Sequence, residues 1–138
     1  MNLFTYGSLV FAEVMRAVTG RSFAHEPARL PGWTRVCIRG TRFPGVRARA
    51  SASTSGVLWR GLDPRSVARL DRFETHHYER RTLTVRTSAG ENVSAEVYVI
   101  AEAHLGALSQ EPWRPDRFAR ESLAALLKAL QQAERRPP

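Results

Sequence analysis

An apolar run, Leu3-Phe4-Thr5-Tyr6, stops abruptly at Gly7-Ser8, and no other stretch limits the possible folds of this chain as strongly. The five residues Leu3 to Gly7 are too few for a stable helix, and Phe, Thr and Tyr suit a pleated, packed surface. The segment is therefore expected to be a buried first strand. Gly7 marks the turn that follows. A Gly-Ser step after such a strand lets the backbone approach a ligand closely and turns successive N–H groups outward, where they can form an anion-binding nest. This loop is the first candidate site; a plain strand-to-helix connection is the competing reading.

The 138 residues fit one domain with one core, and 43% hydrophobic and 25% charged residues are ordinary for a globular protein. The net charge of +8 raises nucleic acid as a partner. The distribution of that charge argues the other way. Lys128 is the single lysine, and the arginines are scattered from Arg16 to Arg136 with no run longer than two. A phosphate-tracking surface is expected to show a stripe with interleaved aromatics, so nucleic acid is a minor alternative. Cys37 is the only cysteine, which rules out an intramolecular disulfide and favours a reducing compartment. With no secretory pattern at the start and no apolar run of spanning length, a cytoplasmic location without membrane association is expected.

Further along, Val10, Phe11, Val14 and Val18 fall on one face of a helix that Gly20 stops. Leu30-Pro31-Gly32-Trp33 reads as a turn leading into a strand, residues 34–39, with Thr34, Val36 and Ile38 on one face. Residues 40–55 read as a loop with a short strand, and Gly56 to Leu62 as a further strand. Asp63-Pro64 opens a helix, Asp as cap and Pro at the first position, carrying Val67, Leu70 and Phe73 inward. Residues 82–87 and 92–101 form a hairpin around Ala89-Gly90. A final helix after Pro115-Asp116 carries Phe118, Leu123, Leu126, Leu127 and Leu130 in one stripe packed on the sheet, and a tail at about 134–138 is expected to fray.

Glu74 is the second candidate site. It falls where the Asp63-capped helix ends, facing the negative end of the helix dipole beside Phe73, and both circumstances raise a carboxyl pKa. The competing reading is a solvent-exposed acid paired with Arg72 or Arg80. His76-His77 do not make a metal site, since neighbours on an extended chain point oppositely and no Cys or acidic cluster completes one. Cys37 shares a strand face with Arg35 and Arg39, which could lower its pKa, but a buried structural thiol is the better reading. Ser8 lacks a nucleophile-elbow motif and is read as a binding residue.

Tyr6-Gly7-Ser8-Leu9, Phe43-Pro44-Gly45-Val46, Leu70-Asp71-Arg72-Phe73-Glu74 followed by Tyr78 and Arg80, and Trp113 with Phe118 occur in that order. In order and spacing the chain resembles the gamma-glutamylcyclotransferase-like family, of the gamma-glutamylamine cyclotransferase or AIG2-like type. The resemblance implies a mixed α+β fold, a small β-barrel with flanking helices, formed by residues 1–138 as one domain. It also implies an enzyme that releases an amine or amino acid from a small γ-glutamyl compound by closing the γ-glutamyl group to 5-oxoproline. On that basis Tyr6, Gly7, Ser8 and Leu9 cradle the substrate and Glu74 is the general acid/base, with no metal or other cofactor. Tyr78 either supports Glu74 by a hydrogen bond or is a core tyrosine. Thr75 stands where the family often has Gly. The alternatives are a non-catalytic binding module on the same barrel and a basic nucleic-acid-associated protein. On this reading Glu74→Gln is expected to leave stability almost unchanged.

Overall fold

The computed structural model describes residues 1–74 and 77–135. Its strands are β1 (Leu3–Thr5), β2 (Ala24–Ile38), β3 (Pro44–Arg60), β4 (Tyr78–Thr87), β5 (Asn92–Ile100) and β6 (Leu108–Pro112). The helices are α1 (Ala12–Thr19), α2 (Pro64–Glu74), α3 (Pro115–Glu121) and α4 (Leu123–Arg135). The strands follow one another laterally in the order β3-β1-β5-β4-β2, and β2 pairs again with β3, which closes a five-stranded barrel. β6 is added to the outer part of β2 through Val36 and Ile38. The architecture is the mixed α+β barrel with flanking helices that the sequence implies.

The first strand is central in a literal sense. It runs antiparallel to β3 (Phe4 opposite Leu58) and parallel to β5 (Phe4 opposite Val97). Both of its faces are covered, because alternate residues point to different cores. Phe4 and Tyr6 enter the barrel interior with Leu30, Leu58, Val85 and Val97. Leu3 lies on the other side with Trp59 and Tyr98, under Val14 and Met15 of α1 and Val67 and Leu70 of α2. So short a strand holds its place through this two-sided burial.

Three expectations about the sheet and helices are corrected. The Leu30-Trp33 segment is no turn: β2 continues through it, and at a register shift between Pro31 and Trp33 Gly32, whose φ is +86°, stands against the four unpaired residues 49–52 of β3. Such a bulge needs a residue that tolerates positive φ, and glycine supplies it. Residues 44–55 are not a loop but the first two-thirds of β3, a strand of 17 residues. Its small and basic residues show little alternation, yet the ladder to β2 pairs residues 44–48 and 53–55 and leaves most of the side chains of this stretch exposed. The final helix is two helices, broken at Ser122, whose backbone leaves helical geometry (φ −136°, ψ −22°) while its carbonyl accepts the Leu126 N–H. A serine is well suited to that start position. α4 packs beside α1, with Leu123, Leu126, Leu127 and Leu130 on the core shared by the helices and the outer face of the barrel. It is helical through Arg135, so only residues 136–138 of the expected tail lie outside the described residues. Strand β6 has no counterpart in the sequence reading. No helix among the described residues is long and apolar enough to cross a membrane.

Candidate active site

The Tyr6–Leu9 loop is shaped by what surrounds it. Thr5, the last residue of β1, donates its hydroxyl to the Leu9 carbonyl (3.2 Å) and accepts the Trp59 indole N–H (2.9 Å). Both ends of the loop are thereby tied to one buried side chain. Ser8–Val10 form a single 3-10 turn, in which the Val10 N–H donates to the Gly7 carbonyl (3.0 Å) and the Phe11 N–H to that of Ser8 (3.3 Å). The Ser8 and Leu9 amides precede the first donor of this turn and have no partner within it. A side chain at Gly7 would place its Cβ 2.9 Å from Cγ of Pro44, so the bare backbone of the loop abuts the Pro44 ring of β3.

Helix α2 delivers Glu74. Asp63 caps it, accepting the Ser66 N–H at 3.2 Å and the Ser66 hydroxyl at 2.6 Å. Its last turn is clamped to the barrel by Asp71, which accepts the Tyr98 hydroxyl (2.6 Å) and a two-nitrogen contact from Arg80 (3.0 and 3.2 Å). Arg80 also holds Glu96 at 2.6 Å. Arg80, one of the two arginines considered as partners of Glu74, is thus engaged elsewhere, and Glu74 makes no ion pair with a described residue.

The loop and Glu74, 65 or more residues apart in sequence, line one cavity of about 200 Å³ together with Tyr78. All three tyrosines of the chain, Tyr6, Tyr78 and Tyr98, are on its wall. Phe43, Pro44 and Phe73 contribute apolar surface. Burial alone pushes the Glu74 carboxyl from 4.5 up to about 8. The tyrosines are raised as well, chiefly by burial, so their hydroxyls stay protonated.

The Tyr78 hydroxyl donates to the Pro44 carbonyl at 2.7 Å, so its proton is not directed at Glu74. Its support reaches the site through Pro44, which abuts Gly7. Tyr78→Phe is accordingly expected to destabilise the fold by about 1 kcal/mol by orphaning that carbonyl. Urea unfolding midpoints of the two proteins measure this, and equal midpoints would show that the hydrogen bond contributes nothing.

Sequence reasoning missed Tyr98, which lines the cavity and whose backbone carbonyl accepts the Tyr6 hydroxyl at 2.5 Å. A tyrosine alternating with Val97 and Val99 on β5, in a chain so poor in tyrosine, was the available signal. It also missed Arg35, which donates to the Tyr6 carbonyl at 2.9 Å while lying over the Trp113 ring. Cys37 is half-buried, and burial pushes its thiol up, contrary to the lowering that neighbouring arginines could produce. His77 lines the cavity with its ring 4.8 Å from that of His104; Thr75 and His76 lie outside the described residues. Among the described residues no three His, Cys, Asp or Glu side chains are grouped as metal ligands.

The sequence profile of gamma-glutamyl cyclotransferase, AIG2-like, matches residues 3–115. AIG2-like protein C of Arabidopsis thaliana is 31% identical over 99 residues, which are 71% of this chain and 58% of that protein's length. An Arabidopsis thaliana protein solved in solution superposes with a TM-score of 0.73 at 24% identity, over 97% of this chain and 84% of the other. A solved gamma-glutamyl cyclotransferase shares the fold at a TM-score of 0.64 and 15% identity, over 95% of this chain and 86% of its own. The matched profile takes in both the Tyr6–Leu9 loop and Glu74, and the chain belongs to the gamma-glutamyl cyclotransferase, AIG2-like family.

Proposed function

We propose that this protein releases an amine or amino acid from a small γ-glutamyl compound by cyclising the γ-glutamyl group to 5-oxoproline, with Glu74 as the general acid/base. The observation that carries the reading is a half-buried carboxyl, raised to about 8, on the wall of a cavity that also bears a glycine-containing backbone loop. In the reaction the α-nitrogen of the substrate attacks its own γ-carbonyl carbon. One C–N bond forms and one breaks, and a single proton passes from the attacking to the departing nitrogen. Substrate and products balance without water, an oxidant or another reactant.

Each part of the site has a task in this step. An entering α-ammonium group favours the carboxylate form of Glu74 by opposite charge, so the side chain can take up a proton from the attacking nitrogen. The same group then returns it to the leaving nitrogen. A carboxyl titrating near the working pH is suited to both transfers. Because the attack is intramolecular, the protein's main task is to hold a bent conformer, which a small cavity walled by Phe43, Phe73 and the tyrosines does by shape. The Ser8 and Leu9 amides offer donors to the α-carboxylate or to the oxygen on which charge develops.

A panel of γ-glutamyl amines and γ-glutamyl peptides, assayed for 5-oxoproline, tests the reading. Formation of 5-oxoproline from at least one member is expected. Saturable binding of members of the panel with no 5-oxoproline would instead establish a non-catalytic binding module on this barrel.

A further inference from the structure

Among the described residues, the only buried side-chain nitrogen or oxygen without a hydrogen-bond partner is Nε of Arg35. Register explains how it comes to be there. In the β2–β3 ladder Arg35 stands opposite Val46, a residue of the barrel interior, so its side chain enters from the same face. There Nη1 donates to the carbonyls of Tyr6 (2.9 Å) and Ser55 (3.2 Å), and the Trp113 ring covers the guanidinium at 5.3 Å. Trp113 is itself buried, with its indole N–H fixed on the Arg42 carbonyl at 2.8 Å. Among the described residues no carboxylate pairs with Arg35. A half-buried charge without a counter-ion costs stability, and a neutral donor could also hold two carbonyls. Burial lowers the Arg35 pKa, yet an arginine stays protonated. Local violations of this kind concentrate at functional sites.

The candidate active cavity has the opposite deficit. Among the described residues its wall carries the Glu74 carboxyl and no arginine or lysine. Glu74 meets the α-ammonium of an entering γ-glutamyl group, but the α-carboxylate finds no such cation on the wall, and a carboxylate leaving water needs compensating positive charge. Arg35 does not line the cavity, whereas Tyr6 and Gly7 do, so the arginine stands behind the loop. The Tyr6–Gly7 peptide lies between. It is trans, so its N–H points away from the carbonyl that Arg35 holds, and the Gly7 N–H donates to no described residue. A charge-assisted bond to the carbonyl polarises the peptide and strengthens the donor on its far side. The charge is also felt on the wall, where it draws the Tyr6 hydroxyl pKa down against the effect of burial.

Resting on the cyclotransferase reading, we propose that Arg35 is a positioning residue that acts through the Tyr6–Gly7 peptide, supplying from behind the loop the positive charge that seats the α-carboxylate of the γ-glutamyl group. The Gly7 N–H makes the contact, and Arg35 itself does not touch the substrate. Because the α-carboxylate is unchanged by ring closure, the charge stabilises ground state and transition state alike and acts on KM, not on kcat.

γ-Glutamylethylamine and its α-carboxamide differ only at this group and form the test pair, with ethylamine release as the common assay. Wild-type kcat/KM is expected to favour the carboxylate compound about tenfold or more. Arg35→Met keeps an apolar chain under Trp113 without the charge. In it the carboxylate compound should lose roughly 5–30-fold through KM, the scale of one charge acting across a peptide at the effective dielectric of a protein, while the carboxamide changes less than about threefold. Arg35→Lys restores a charge and should recover part of the preference. The pH limb set by Glu74 should stay near 8 in both variants, since burial alone shifts that carboxyl. The ratio of the two kcat/KM values does not depend on how much of a variant is folded, so it is readable even if the substitution costs stability. An unchanged ratio in Arg35→Met, or an equal loss on both compounds, overturns the inference and leaves the cyclotransferase reading intact. Calorimetric titration of the same pair separates the two claims. An Arg35-dependent preference for the carboxylate compound without ethylamine release would refute the cyclotransferase reading and uphold the role of Arg35; binding of neither compound would overturn both.

Discussion

Glu74→Gln is expected to lower 5-oxoproline formation by roughly 10²–10⁴-fold while substrate binding changes little, the range for loss of a positioned acid/base group. The amide keeps the size of the side chain and can accept hydrogen bonds through its oxygen, but it cannot carry a proton between the two nitrogens. The pH profile gives an independent sign. With the free carboxyl at about 8, the wild-type kcat/KM should rise with pH and level off near that value, and this limb should vanish in the variant. Undiminished turnover by folded Glu74→Gln would refute the assignment.

The same substitution should also alter stability, against the near-neutral effect expected from sequence with Glu74 as the general acid/base. In the unfolded chain the carboxyl loses its proton near 4.5, in the folded protein only near 8. Between these values the native state binds the extra proton, so stability falls as pH rises through the window and is lowest above 8. By linkage this loss is on the order of 4–5 kcal/mol between about pH 4.5 and 8. Glutamine does not ionise. The variant should therefore match the wild type near pH 4.5 and exceed it by several kcal/mol at pH 8 and above, as chemical denaturation at a series of pH values would reveal. Parallel stability curves for the two proteins would show that the carboxyl is solvated in the folded state.

Gly56→Ala should be the most damaging small substitution in the barrel. A Cβ at Gly56 would lie 2.1 Å from the backbone oxygen of Thr5 and 2.7 Å from Cζ of Phe4. A backbone oxygen in a three-residue strand pinned between β3 and β5 has nowhere to go, so relief means separating β1 from β3. Overpacking of this kind costs about 3 kcal/mol, which lowers the melting temperature by roughly 10 °C for a domain of this size. Because Thr5 also ties the Tyr6–Leu9 loop, turnover should fall together with stability. A melting temperature within a degree or two of wild type would contradict the close approach on which barrel closure depends.

Local signals carried much of the architecture. The first strand, the Gly20 stop, the Asp63-Pro64 helix start and the Gly90 hairpin depend on backbone preferences within a few residues, and each stands where the residue pattern puts it. The elements that escaped reading are those whose neighbours decide them. Residues 44–55 have no strand-like alternation and become strand because β2 pairs with residues 44–48 and again from Ser53 onward. Gly32 after Pro31 has the signature of a turn and is a bulge because pairing continues on both sides of it.

The candidate site divides in the same way. Gly7, Ser8 and Glu74 were visible from sequence as ends of elements, where backbone amides and a carboxyl meet turns, and the family resemblance supplied the rest of the loop. That the loop and Glu74 face one cavity, with Tyr78 as a possible support, was expected from sequence and resemblance; that Tyr98 joins them follows only from closure of the barrel, which carries β5 beside β1 and hangs α2 across them. The sequence by itself determined which residue types and turns were present, because those are properties of short stretches of chain. Only the tertiary structure decided that Arg80 turns to Asp71 and Glu96 and that the half-buried Glu74 has no ion-pair partner among the described residues, because solvation and charge pairing depend on distances between distant parts of the chain.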